Sequence, residues 1–535
     1  MSTLARSESD IAVVGAGPAG LAAALAAASF GCAVTLIDSG AAIGGQIYRQ
    51  SLLAPGRGAG APGSGPLPPR LHRAARHRRI RHQAATTVWH AEQEPGGGFL
   101  LRLAGPDRPG PAPSGEADGP GPEPGSEAGG PGPTRRSQAD GPGPEPAGEA
   151  DATGPAPSGE ADATGPAPGG AGPTVLRVRA VVLATGAAEL VLPFPGWDLP
   201  GVTTAGAAQA LLKSQGVTVG RRVLVSGSGP LLLPVAAGLA EAGVRVVAVL
   251  EATAARRGAR HAARFAAYPG KLREAAGYAA TLARHRVPVR TGHAVVACRG
   301  AGQVERATIA RLDRDWRPVS GSRRDEAVDA VYVSFGFSPA LDLARLLGCA
   351  DAQHPTRPTA AVRCDADLAT SVPGVFAAGE VTWIGGAQAA ELEGYLAGAS
   401  AARYLGRLHP VAYTARTRTL RARLRPARRF AALLDDAYPL RPGWLDWPEP
   451  GTIACRCEET RWAEIGQAVA AGAADVRSVK GLTRCGMGYC QGRMCGPIVQ
   501  YAVAAAAGRP LGEVGDLHSR PVITPVALGA IAGEG

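Results

Sequence analysis

Two segments of this chain each run an apolar strand into a glycine turn and then a helix, a unit that fits little besides a parallel sheet with helices packed on it. The first, I11-A-V-V-G-A-G-P-A-G-L, carries G-x-G-x-x-G. Gly15 allows the sharp turn, Gly17 lets a pyrophosphate approach the backbone, and Gly20 lets the helix pack close to the strand. The loop from Gly15 through Pro18 and Ala19 to Gly20 then faces phosphate with free N–H groups and the positive end of the helix dipole. The next strand ends at Asp38, eighteen residues after Gly20, where a carboxylate can bond a ribose hydroxyl.

The second unit places Gly227 and Gly229 after an apolar strand at 222–225, with Glu251 closing the strand that follows. Leu232 stands where the third glycine belongs, which predicts looser packing of helix on strand and an altered phosphate pocket. Binding of NAD(H) or NADP(H) there is left open. Arg256 and Arg257 follow the acid, where they meet either a 2′-phosphate or solvent.

Three further segments, Gly44-Gly45-Gln46, Ala184-Thr185-Gly186 and Ala378-Gly379-Glu380, resemble the motifs of flavoproteins with two dinucleotide domains. The resemblance implies FAD at the first site, with Gly45, Gln46, Ala184, Thr185, Gly186, Gly379 and Glu380 lining it. In such families the Gly-Glu pair lies against the flavin's ribityl chain and phosphate. Disulfide reductases of this architecture carry a close cysteine pair beside the flavin. Upstream of residue 455 only Cys32, Cys298, Cys349 and Cys364 occur, all isolated, so dithiol chemistry is excluded.

Cysteines gather instead at the far end. Cys455 and Cys457 form a C-x-C, and T483-R-C-G-M-G-Y-C-Q-G-R-M-C-G holds Cys485, Cys490 and Cys495. Thiolates in such numbers suit an iron–sulfur cluster or zinc, although zinc sites favour the roomier C-x-x-C. The block resembles the bacterioferritin-associated-ferredoxin-like 2Fe–2S domain. That resemblance implies Cys455, Cys457, Cys490 and Cys495 as ligands, leaving Cys485 spare or as a substitute for Cys490 or Cys495. A short helix at 461–471 is expected between the pairs. Gly486 and Gly488 are placed to let the backbone donate hydrogen bonds to sulfur.

Residues 104–173 differ from everything around them. They contain no Val, Ile, Leu, Phe, Met, Trp or Tyr, and their eleven acids against Arg108, Arg135 and Arg136 give −8. Such a stretch buries too little to offset its ordering entropy and is expected to be a disordered insertion in a hairpin. The expected organisation is a flavin domain in three pieces (8–103, 174–205, 341–405), the insertion, and a second nucleotide domain at 206–340. A basic helical linker (406–447, kinked or interrupted at Pro426), a mainly α-helical cluster domain (448–512) and a tail (513–535) follow. The fold class is α/β, a glutathione-reductase-like flavoprotein with this small domain appended.

The net charge of +11 raises nucleic acid as a partner, but the arginines are scattered rather than aligned in a stripe. Residues 11–37 carry no charge, yet their glycines and Pro18 read as a turn and not a membrane span. The cysteine usage fits a reducing cytoplasm.

Beyond these motifs, P193-F-P-G-W, L199-P-G-V-T-T-A-G-A-A-Q, G379-E-V-T-W-I-G-G and R520-P-V-I-T-P-V-A-L-G-A resemble the family of opine oxidase A subunits, hydrogen cyanide synthase B subunits and D-hydroxyproline dehydrogenase alpha subunits. Leu190 and Trp383 depart from its usual pattern. Trp383 is expected either to narrow access to the flavin or to pack against a partner. The resemblance implies an oxidoreductase subunit that passes electrons between FAD and a 2Fe–2S cluster. Its expected partner is a second flavoprotein of the D-amino-acid-oxidase type that oxidises an amine or imino acid. No acid–base constellation identifies a catalytic side chain. The alternatives are a stand-alone NAD(P)H-dependent reductase and a non-catalytic assembly protein.

Overall fold

The computed structural model describes residues 6–49, 67–105, 175–354, 357, 359–517 and 521–528. The expected disorder of 104–173 concerns residues that, apart from 104 and 105, lie outside this set.

The first sheet has a parallel core in the order Ile80–Gln83, Val34–Ile37, Arg6–Val14, Val175–Leu183, with Val375–Ala377 also paired to Val175–Leu183. Phe99–Ala104 joins Val175–Leu183 antiparallel, and Thr87–Gln93 completes the edge. Register pairs Phe99 with Val178 and Arg102 with Val175, so the chain leaves the sheet and re-enters it on neighbouring strands. The central strands are apolar on both faces because both are buried, Ile11 and Val13 against helices and Ala12, Val181 and Leu183 against the segment from Leu341 to Val362. Pro18–Ser29 is one of those helices, nearly all alanine, glycine and leucine on its buried residues. Gly386–Tyr404 lies along it, and Gly394 and Gly398 bring its backbone against Ala19 and Ala23.

The second sheet is wholly parallel, in the order Val289–Thr291, Arg245–Glu251, Arg222–Gly227, Ala330–Ser334, Val202–Thr204. A three-stranded antiparallel sheet, His293–Arg299, Arg306–Arg311 and Arg324–Ala327, flanks it. The chain passes between the two nucleotide folds twice, and the crossings pair as Ala187–Glu189 with Phe337–Pro339. The Glu189 carboxylate accepts from Gly206 N–H at 2.8 Å, capping the helix Ala205–Gln215, while Leu190 is buried in the core of the second fold.

The linker is one helix, Pro410–Ala437, that runs through Pro426 without interruption. A proline removes one ladder bond and crowds the preceding turn. Here packing outweighs that cost, because Tyr413, Leu424, Ala431 and Leu433 are buried and Arg421 and Arg428 are ion-paired to Asp367 and Glu393. The cysteine module follows as short strands Ile453–Cys455 and Thr460–Arg461, then helices Trp462–Ala470, Val476–Thr483 and Gly496–Ala507. Among the described residues no helix is long and apolar enough to cross a membrane.

Because the strand ends at Ala104 and Val175 are neighbours, residues 106–173 can be replaced by a short Gly-Ser turn. Loop-closure entropy predicts a protein at least as stable as the parent, by up to about 2 kcal/mol in chemical denaturation. Failure of that variant to fold would show that the segment contributes to the core.

Candidate functional site

The four motif segments of the flavin half converge on one loop. Gly15 takes φ +107°, and a Cβ there would lie 2.1 Å from the Ala184 carbonyl oxygen. A Cβ on Gly20 would lie 1.7 Å from the Gly15 carbonyl oxygen, so helix and turn are in backbone contact. Gly45 sits on Gly17, and Gly379 against Ala19. Thr185 donates to the Ala340 carbonyl at 2.8 Å and so ties the first crossing to the second. Asp38 accepts from Ala16 N–H and Gly40 N–H, spanning the glycine turn from the end of its strand. Gln46 accepts from the Arg49 guanidinium at 2.8 Å.

Glu380 accepts from Gly386 N–H at 2.7 Å at the start of the long helix, and burial pushes its carboxyl up to about 7. Beneath it lies Glu393, which sequence reasoning missed. This buried carboxylate accepts from Gly379 N–H at 2.9 Å, from the Thr382 hydroxyl at 2.8 Å and from Arg428 of the linker helix at 2.8 Å. Trp383 is engaged within the chain. Its ring stacks on His354 at 4.9 Å and its indole N–H donates to Asp435 at 2.9 Å.

In the second nucleotide fold the helix begins at Leu232, three residues after Gly229, whereas the first begins at Pro18, immediately after Gly17. Two residues of retreat move the positive helix end by about 3 Å. Glu251 accepts from Gly229 N–H at 2.8 Å and Thr253 N–H at 2.7 Å, and burial raises it to about 7. Beside it a cavity of about 430 Å³ is lined by Arg256, Arg260, Arg314 and Arg441 together with Asp313 and Asp315. The Arg257 side chain lies outside the described residues.

All five C-terminal cysteines meet. The sulfurs of Cys455, Cys485 and Cys495 lie within 4.8 Å of one another. Cys490 lies against Cys495 and also contacts the exposed Cys457, which receives the Cys490 N–H. The neighbouring thiols, that of Cys485 first for Cys455 and that of Cys495 first for Cys490, pull both sulfurs below the usual thiol range. Backbone N–H groups of Gly486 and Glu458 point at Cys455, and those of Met494 and Gly492 at Cys490. Gly488 instead packs on the Cys457 Cβ. Thiols this close, with N–H groups directed at sulfur, fit a thiolate-bound metal centre. Cys485 belongs to the packed trio and is not set apart from it.

Both cysteine loops are fastened to the nucleotide folds. Trp197, last residue of the P-F-P-G-W run, donates its indole N–H to the Ile453 carbonyl at 2.6 Å. Arg456, inside the C-x-C, lies over the same ring at 5.1 Å and donates to the Asp198 carbonyl at 3.0 Å. On the other loop, Arg493 pairs with Asp342 at 2.9 Å and Gln491 donates to the Val522 carbonyl at 2.9 Å. The only advance signal was that no dinucleotide argument required the P-F-P-G-W run.

Fold and site together define a flavin-dependent oxidoreductase built on two dinucleotide-binding folds. Residues 10–95 match the FAD-dependent oxidoreductase family, 167–394 the pyridine nucleotide-disulphide oxidoreductase family, and 457–534 the sarcosine oxidase A3 domain. The chain belongs to the family that holds the A subunits of opine oxidase together with HcnB of hydrogen cyanide synthase. It is 31% identical to the opine oxidase A subunit of Agrobacterium tumefaciens, over 98% of this chain and 91% of that one. It is 32% identical to HcnB of Pseudomonas aeruginosa, over 66% and 76%. Crystalline L-proline dehydrogenase from P. horikoshii shares the fold at 18% identity and a TM-score of 0.61, covering 98% of this chain and 80% of that one.

Two predictions rest on these contacts. Trp197→Ala should speed hydrogen exchange in the segment around Cys455 and Cys457 by roughly tenfold, the equivalent of about 1.4 kcal/mol of local stability, with Trp197→Phe intermediate; unchanged exchange would show that the loop is held elsewhere. In the cofactor-free protein, a carboxyl raised by burial lowers stability as pH rises from about 4.5 to 7. Glu380→Gln should remove roughly 2 kcal/mol of that decline in denaturation curves taken at both ends of the window.

Proposed function

We propose that this chain is the electron-handling subunit of a heteromeric dehydrogenase acting on an amine or imino acid. FAD would lie at the Gly15–Gly20 loop and a 2Fe–2S cluster among the C-terminal cysteines. The observation that carries the reading is the convergence of five cysteines, with N–H groups on their sulfurs, in a module bonded through both loops to a flavin-type fold. When bound, FAD accepts an electron pair and the cluster passes electrons singly. The chain's own residues bind and orient. Asp38 takes the ribose, the helix at Pro18 the pyrophosphate, and Glu380 holds the head of the long helix through Gly386 N–H.

Cys455, Cys457, Cys490 and Cys495 are proposed as the residues that would hold the cluster. No side chain is assigned to substrate oxidation, which fits a partner that carries it. The curated relatives are themselves subunits, and the partner proposed is a flavoprotein of the D-amino-acid-oxidase type. A cytoplasmic location accords with this redox inventory. The second reading, an NAD(P)H-dependent reductase, is favoured by the cavity beside Glu251, where four arginines outnumber Asp313 and Asp315, and disfavoured by the retreat of the Leu232 helix.

Purified protein should contain about two iron atoms and two acid-labile sulfides per chain. Cys457→Ser and Cys490→Ser should lose them, whereas Cys485→Ser should retain them. Zinc in their place would refute the cluster, and iron loss in Cys485→Ser would move the ligand set toward the packed trio. Anaerobic NADH or NADPH should leave the flavin band unbleached; prompt bleaching would establish the reductase reading.

A further inference from the structure

Lys213 is buried, only 3% exposed, on the helix Ala205–Gln215 of the second nucleotide fold. Its Nζ reaches across to the loop after the Gly44-Gly45-Gln46 turn, where it donates to the Ile47 carbonyl at a long 3.4 Å. Two residues further on stands Arg49. One arm of its guanidinium donates to Gln46, while its buried Nε has no acceptor among the described residues. The influences on Lys213 are burial and then the Arg49 charge, which pull the ammonium down to about 8, and no carboxylate acts against them. Residues 50–66, which follow Arg49 and lie outside the described set, include no Asp or Glu in their sequence. An ammonium held out of water beside a half-buried like charge, with only a neutral acceptor, is costly, and a ligand that brings the counter-charge removes the cost.

We propose that Lys213 and Arg49 form an oxyanion-binding site at the seam of the two nucleotide folds, taking a phosphate or carboxylate group in charge-assisted hydrogen bonds. Each fold supplies one cation, so the bound anion also fastens the folds to each other. The Gly45 contact with Gly17 puts the site next to the phosphate loop. The oxyanion therefore has two possible sources, the pyrophosphate of the flavin dinucleotide or a separate small anion. The site does not depend on the identity of the metal centre or of the partner protein.

The test uses the full-length chain with FAD removed and restored. Lys213→Gln and Arg49→Gln are compared with the parent for FAD affinity, by fluorescence quenching. They are also compared for the change in melting temperature with sodium phosphate or sodium acetate at fixed ionic strength, against sodium chloride. If the pyrophosphate is the ligand, FAD binds about tenfold or more weakly in both variants. If the ligand is a separate anion, FAD affinity is unchanged, while the parent's anion-dependent rise of roughly 3 °C disappears from both variants. Variants that match the parent in both measurements overturn the proposal. Folding is read separately on cofactor-free Lys213→Met, which should melt at or above the parent because an uncompensated charge has gone. A markedly lower melting temperature would mean that the ammonium already has its partner, and would also overturn the proposal.

Discussion

One buried carboxylate, Glu393, is the point to which the rest of the molecule is referred. A carboxylate taken out of water must find donors for its oxygens or lose its charge. Glu393 takes one from the backbone of the Gly379 motif, one from Thr382 and one from Arg428. The loop at the flavin site and the linker helix are thereby fixed to the same two oxygen atoms. The linker helix leads directly to the cysteine module, so the positions of the two halves are coupled before any contact between them is counted. Removing the acid alone would leave Gly379 N–H without an acceptor and the Arg428 guanidinium without its carboxylate, and cost about 1–3 kcal/mol.

The cysteine module is docked by the same kind of contact. Trp197 and Arg456 hold one cysteine loop, and Arg493 with Asp342 holds the other. Arg345 pairs with both Asp351 and Asp516, tying the segment beyond the module to the flavin fold. Between them Trp444 is fully buried against Trp462 and Tyr501. These contacts also account for part of the arginine excess. Arg345 and Arg428 each meet a carboxylate with two nitrogens, and Arg421 and Arg493 divide theirs between a carboxylate and a backbone carbonyl, arrangements that need the planar fork lysine lacks.

The flavin half was legible in sequence because its geometry leaves little choice of residue. Gly15 and Gly20 stand where a Cβ would strike backbone, and Asp38 stands where a strand ends over the glycine turn. The hairpin strands around the inserted segment were legible through their apolar pattern. What stayed hidden depends on contacts distant in sequence. Nothing near Glu393 marks it as the partner of Arg428, and nothing near Trp197 announces a bond to Ile453, 256 positions away. Pro426 suggested a kink or an interruption by a local rule, and the helix continues through it. Cys485 lay outside the motif's frame, and only the fold brings it beside Cys455 and Cys495.

On the proposed reading, one chain carries a flavin and a one-electron centre in a fixed relation. An anaerobic titration with dithionite, followed by absorbance and by electron paramagnetic resonance, tests it most directly. The account predicts uptake of about three electrons per chain, two by the flavin and one by the cluster, with a paramagnetic signal that integrates to about one spin. Uptake of two electrons with no such signal would mean that the cysteines hold zinc or nothing, and would reduce the chain to a flavoprotein with a structural appendage.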